Sequence, residues 1–223
     1  MQHCFAPRTR YSRAEVLSDA AVHLAGLAIV VLAAPALIVL TLATRGADLP
    51  AVLGASVYSV TLVAMILCSA LCQMGAQHRL AGLFRRLDHV AIYWKIAGTY
   101  TPFTLLSGGQ GTALLIGLWV AAGLGTALRT LGRDGAVWLV LALSLYLGMG
   151  WAGAFAGSSL LATISPAVQT LIFTGGGLYT LGVVFFLMPR LPFHRTIWHV
   201  FVLVASLVFY AAVALHVLGG WTV

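Results

Sequence analysis

Acidic residues are scarce in this chain, and so is charge of any kind: five Asp and Glu stand against twelve Lys and Arg, and only 8% of residues are charged. A water-soluble domain of 223 residues carries far more. Long polar stretches are missing too, since 61% of the residues are hydrophobic and the mean hydropathy is +1.01. These shortages exclude a soluble enzyme or binding domain and leave a polytopic membrane protein. The net charge of +7 does not indicate nucleic acid, because the basic residues are dispersed among apolar runs and form no soluble basic face. Cysteine is nearly absent: Cys4 lies in the N-terminal tail, and Cys68 and Cys72 are four apart on one helix. That spacing suits a disulfide poorly, and no CxxC or paired Cys/His pattern offers a structural zinc site, so the thiols are read as structural. No small-residue cleavage site precedes the first long apolar run, and no cleaved signal peptide is expected. No internal repeat is visible. The glycine runs Gly148-Met149-Gly150 and Gly175-Gly176-Gly177 lead into no phosphate-binding Gly-Lys-Ser/Thr, and with the GxxxG of Gly153 and Gly157 they suggest close helix packing.

What the chain does contain is apolar runs of about 20 residues, long enough to cross a bilayer. Seven can be drawn, over 18–42, 51–74, 88–107, 112–130, 136–156, 166–188 and 197–221. The breaks are short and leave no room for a second domain. Lys and Arg accumulate in cytoplasmic loops. Arg8, Arg10 and Arg13 precede the first run; Arg79, Arg85 and Arg86 follow the second; Arg129 and Arg133 flank the fourth break; Arg190 and Arg195 precede the seventh. With seven spans all four groups fall on one side and only Arg45 on the other, whereas an even count would break the alternation. The expected fold is therefore an all-α integral membrane protein with seven transmembrane helices, the N-terminus cytoplasmic and the C-terminus outside. Residues 1–223 form one membrane domain with a cytoplasmic tail over 1–14. Trp94, Trp119, Trp138, Trp151, Trp198 and Trp221 mostly fall near span ends, as interfacial aromatics do.

Against this background the polar residues stand out. Glu15, Asp19 and His23, spaced by four, share one face of the first helix. Ser69 and Gln73 lie on the last turns of the second, Asp88 and His89 open the third, and His194, Arg195 and His199 open the seventh. All converge on the cytoplasmic membrane face. Each also has a plainer use. Asp88, Glu15 and Asp19 can favour helix N-termini, or the latter two can pair with Arg85 or Arg86; His23 and Gln73 can tie helices together by hydrogen bonds. Lys95, two turns beyond Asp88, either snorkels or pairs with an acid. His216, near the outer end, is read as interfacial. His194 and His199 are five apart and splay around a helix, so they suit one ion poorly on spacing alone.

The segment Asp88-His89 followed by Ile96-Ala97-Gly98-Thr99-Tyr100-Thr101-Pro102-Phe103 resembles the DH…IAGTYTPF signature of the haemolysin III family, bacterial relatives of the progestin and adipoQ receptors. Glu15…His23…Gly26, Ser69-Ala70-Leu71-Cys72-Gln73, Gly177-Leu178-Tyr179 and Trp198-His199-Val200-Phe201 extend the likeness over most of the chain. The resemblance implies seven helices with the N-terminus inside. It also implies a zinc held near the inner face by three histidines, with the Ser of the second helix and the Asp of the third orienting water. Ser69, Asp88 and His199 match those positions. Gln73 and Arg195 stand where two of the histidines belong, and Phe209 where a further familiar histidine lies. A neutral amide replaces imidazole poorly, and a guanidinium cannot ligate and repels a cation. The resemblance thus implies a degenerate zinc site in which Arg195 occupies the vacant metal position, pairing with Asp88 and accepting a lipid phosphate or carboxylate, unless His194, Cys72 or His23 stands in.

Three functions follow as expectations. The first is a haemolysin III-like protein with a lost or altered zinc site and no cofactor, which binds membrane lipid and serves membrane homeostasis or sensing in the bacterial inner membrane; Arg195, His23 and Lys95 are its candidate lipid or anion contacts. The second is a zinc-dependent lipid amidase or esterase, with Asp88 and Ser69 in the reaction and His199, His194 and Asp88 as ligands. The third, a pore or channel, has little support because no span carries a polar stripe along its length.

Overall fold

The computed structural model of the chain describes residues 11–75, 77–131 and 135–219, with the backbone alone at Ala136. Cys4, Arg8, Arg10, Arg133, Asp134 and Trp221 lie outside them. Among the described residues there are eight helices and no strand: α1 Arg13–Arg45, α2 Leu49–Met74, α3 Ala81–Leu105, α4 Thr112–Leu131, α5 Ala136–Ala156, α6 Ser158–Leu161, α7 Pro166–Phe186 and α8 His194–Leu218. Local chemistry sets the ends. Ser12 and Glu15 form a reciprocal capping box that starts α1. The carboxylate of Asp48 caps α2, and Pro50 occupies its first turn. Gly46, with φ of 59°, ends α1 in a left-handed turn that favours a residue without Cβ.

Six of these helices, α1, α2, α4, α5, α7 and α8, are long and apolar enough to cross a membrane. Large apolar side chains on their outer faces stay exposed, Leu32 at 75% and Phe155 at 87%, as lipid-facing residues are. The chain is an all-α membrane protein. The six helices overlay six of the seven apolar runs read from the sequence. The remaining run, 88–107, corresponds to α3, which starts earlier than expected and carries Arg85, Arg86, Asp88 and Lys95, so that composition alone does not mark it as a span. At 25 residues it is one residue shorter than α2.

Helix α3 is the centre of the bundle. Helix α2 packs along it, and α4, α5 and α8 close around it. From Ala91 onward its residues are buried on nearly every face. The IAGTYTPF segment makes most of these junctions. A Cβ on Gly98 would strike the Thr61 side chain, and one on Gly54 would lie 2.7 Å from the Pro102 Cα, so α2 and α3 touch almost backbone to backbone. The Tyr100 hydroxyl donates to the Gly150 carbonyl at 2.8 Å and accepts from the Gly153 N–H at 3.0 Å, fastening α5. The Thr101 hydroxyl accepts from the Trp119 indole at 3.3 Å, fastening α4. The short α6, in a segment expected to be only a break, puts Leu160 into the core.

Candidate functional site

Four helix ends meet at one end of the bundle: the start of α1, the end of α2, the start of α3 and the start of α8. They bring together the residues expected to converge, and the hub is Asp19. Its carboxylate accepts from His199 Nδ1 at 2.6 Å, lies 3.9 Å from the Arg195 guanidinium through its other oxygen, and is 3.8 Å from His23 Nδ1. His23 Nδ1 also donates to the Asp19 backbone carbonyl at 2.7 Å. A carbonyl only accepts, so this nitrogen carries the proton, and in the neutral ring Nε2 then accepts from the Ser69 hydroxyl at 3.2 Å. The two imidazoles meet edge to face at 4.3 Å. Arg195 completes the ring by donating to the Gln73 side-chain oxygen, and its guanidinium lies 5.0 Å from the Tyr11 ring.

The start of α8 is positioned from α1. Phe193 adopts a left-handed conformation with φ of 58°, unfavourable for a bulky side chain. Its N–H donates to the Glu15 carboxylate at 3.0 Å, and Ser18 and Thr196 hydroxyls join the two helices at 2.9 Å. The turn so held presents His194 and Arg195. His194 faces the Tyr11 hydroxyl at 3.4 Å, whereas His199 faces Asp19 and His23, so the two histidines serve different partners. The pairing expected between Arg195 and Asp88 falls instead to Asp19. Asp88 lies beside the Cys72 thiol, and His89 turns to the Arg85 carbonyl at 2.6 Å.

Asp19 was expected at this face, but none of the three functional readings gave it a role. The signal for it was present: Ser12 and Glu15 already supply the start of α1 with its cap, and Asp19 sits one turn before His23 on the same face.

Asp19, His23 and His199 form a group whose ligand-type atoms all fall within 4.8 Å of one another. Two imidazoles and a carboxylate are donors of the kind zinc accepts. The fixed cation of Arg195 beside Asp19 opposes an ion there, and the two other positions that the family resemblance assigns to histidine, Gln73 and Arg195, are hydrogen-bonded to each other.

From this cluster a cavity of about 630 Å³ runs into the bundle. Arg85, Arg195 and Tyr11 line one end, and Phe103, Leu160 and Ile164 the other. Along α3 the lining extends from Arg85 to Phe103, roughly 27 Å at 1.5 Å per residue. The walls are mostly apolar, with Lys95 partway along them. Lys95 is only 3% exposed, so it does not snorkel, and its ammonium donates to the Thr99 hydroxyl at 2.7 Å.

The comparisons with known proteins agree with this architecture. Residues 13–210 match the family described as Haemolysin-III related, a stretch that includes every residue of the cluster just described apart from Tyr11. The chain is 36% identical over 153 residues to the Hemolysin-3 homolog of Bacillus subtilis, covering 68% of this chain and 71% of that protein. It is 34% identical over 199 residues to Hemolysin-3 of Bacillus cereus, covering 84% and 86%. The human Monocyte to macrophage differentiation factor is 35% identical over 133 residues, covering 58% of this chain and 54% of its own. With a family match along nearly its whole length and a DH…IAGTYTPF helix at the centre of its bundle, this chain belongs to the haemolysin III family.

Proposed function

We propose that the chain is a seven-span lipid-binding protein of the bacterial inner membrane, with its N-terminus cytoplasmic, whose inherited zinc site has become an arginine-centred cluster. It acts in membrane homeostasis or as a sensor of membrane lipid. One observation carries this reading: a largely apolar cavity of about 630 Å³ opens from a polar cluster in which Arg195 bridges Gln73 and Asp19. A mostly apolar channel with a few convergent polar groups suits a ligand with one polar end and a long chain. The length and burial of α3 support its counting as the seventh span, and that count puts Arg13, Arg79, Arg85, Arg86, Arg129, Arg190 and Arg195 on one side, with Arg45 on the other.

Metal analysis of the purified protein tests the reading. The wild type is expected to hold well under one zinc per chain, and the double variant Gln73→His with Arg195→His to approach one, losing it again on His199→Ala. Stoichiometric zinc in the wild type, released by His199→Ala, refutes it.

The Asp19, His23 and His199 group favours a second reading, a zinc-dependent lipid amidase or esterase. A bound zinc would supply Lewis-acid activation of water. Ser69 and Asp88, which line the cavity, would orient that water and the acyl group. This reading requires lipid hydrolysis that both a chelator and Asp88→Asn abolish; turnover insensitive to either refutes it.

A further inference from the structure

Lys95 is a cation without an anion. Of the five acids, Glu15 and Asp19 belong to the end cluster, Asp48 caps α2 at the opposite end of the bundle, and Asp134 lies outside the described residues. Asp88 is seven residues back on α3, about 10 Å along its axis at 1.5 Å per residue. No carboxylate among the described residues pairs with Lys95. The Thr99 hydroxyl gives its own hydrogen to the Lys95 carbonyl at 2.7 Å and accepts one N–H of the ammonium, leaving two donors. The Tyr58 ring lies 4.5 Å from Nζ and the Phe209 ring 5.7 Å, and aromatic faces stabilise an ammonium rather than a neutral amine. The Tyr58 hydroxyl donates to the Ser206 carbonyl at 3.5 Å. Ser206 donates to the Val202 carbonyl at 2.7 Å and so accepts from Tyr179 at 2.7 Å.

A buried charge with no partner is costly, and this one lines the cavity in which the proposed lipid lies. Arg195 is differently placed: Asp19 already offsets its charge and Gln73 takes a donor. We propose that Lys95 is the docking point for the carboxylate of a long-chain fatty acid, held at mid-depth in the cavity rather than at the Arg195 end. The proposal rests on the lipid-binding reading above and specifies the ligand class and its polar anchor. The two free N–H donors and the Thr99 turn receive the carboxylate oxygens, while the apolar walls take the chain. A small inorganic anion shares the carboxylate's chemistry, but it leaves those walls unfilled.

The test is equilibrium binding to the full-length protein in nanodiscs of zwitterionic lipid, with palmitate, hexadecanol, sodium acetate and sodium chloride as probes. Palmitate is expected to bind the wild type at least tenfold more tightly than hexadecanol. Lys95→Met should lower palmitate affinity by that factor and leave hexadecanol binding intact, which also certifies the fold; Lys95→Arg should retain part of the preference. If palmitate and hexadecanol bind alike, or the preference survives Lys95→Met, the anchor is wrong while the lipid reading stands. Loss of the preference on Arg195→Gln alone places the acid at the cluster end and overturns the proposal. Displacement of palmitate by millimolar chloride, with acetate as effective as palmitate, overturns the long-chain assignment. Binding of neither chain overturns the lipid reading, and this proposal with it.

Discussion

Replacing Asp19 by Asn is expected to destabilise the protein more than the same change at Asp88, although Asp88 is the acid of the family signature. The substitution keeps an acceptor for His199 and removes the charge. A charge-assisted hydrogen bond contributes about 1.5–3 kcal/mol against about 1 for a neutral one, so the 2.6 Å bond from His199 loses roughly 0.5–2 kcal/mol. Arg195 is 3.9 Å away with 36% of its side chain exposed, and solvent screening limits its share to at most about 1 kcal/mol. The total, about 2 kcal/mol, corresponds to a fall in Tm of about 4–8 °C for a chain of this length. Asp19→Ala also removes the acceptor and leaves a partly buried N–H without its partner, which adds about 1–2 kcal/mol. Asp88, beside the Cys72 thiol and with no comparable bonds among the described residues, should lose less than about 1 kcal/mol as Asn. Thermal unfolding of the three variants in one detergent or nanodisc decides the order. If Asp88→Asn is the more damaging, Asp19 is not the hub.

Two further outcomes concern the scaffold. Tyr100→Phe removes both hydrogen bonds that fasten α5 and should lower stability by about 1–3 kcal/mol, with faster amide exchange in 150–153 and little change in α1; unchanged exchange would mean that α5 is held by packing alone. Gly98→Ala drives a methyl into Thr61, whose Cγ2 and Cβ would lie at 2.9 and 3.0 Å, and should cost about 1–3 kcal/mol. Thr61→Ala in the same chain removes Oγ1 and Cγ2, the two nearest atoms, and keeps Cβ, so a double-mutant cycle should show rescue; strictly additive losses would contradict the close α2–α3 contact.

Much of this was legible in the residues. Apolar runs placed α1, α2, α4, α5, α7 and α8 to within a few residues at most ends, because lipid demands length and apolarity and little else. The i, i+4 spacings of Asp19 with His23 and of Ser69 with Gln73 brought the right faces to one end of the bundle. Periodicity could not say which acid would meet Arg195, since that depends on how α1 and α8 approach through Glu15 and the Phe193 turn, a contact between residues 178 apart in the chain. It also set the start of α3 late. Arg85 and Arg86 look like loop residues, yet they ride on the exposed side of a helix whose other side packs. Lys95 was ambiguous for a related reason: its environment is made by Tyr58 and Phe209, from two other helices.

The burial of α3 on nearly all sides has a bearing on biogenesis. A segment carrying Arg85, Arg86, Asp88 and Lys95 is a weak substrate for partitioning into lipid by itself, whereas α2 partitions readily. In the seven-span arrangement proposed above, α3 enters the bilayer as the second arm of a hairpin, carried by α2 through the Gly54–Pro102 and Thr61–Gly98 contacts. The residues that give the family its signature would then act early in synthesis, when the ribosome has released α1, α2 and α3 and the four later spans have yet to appear.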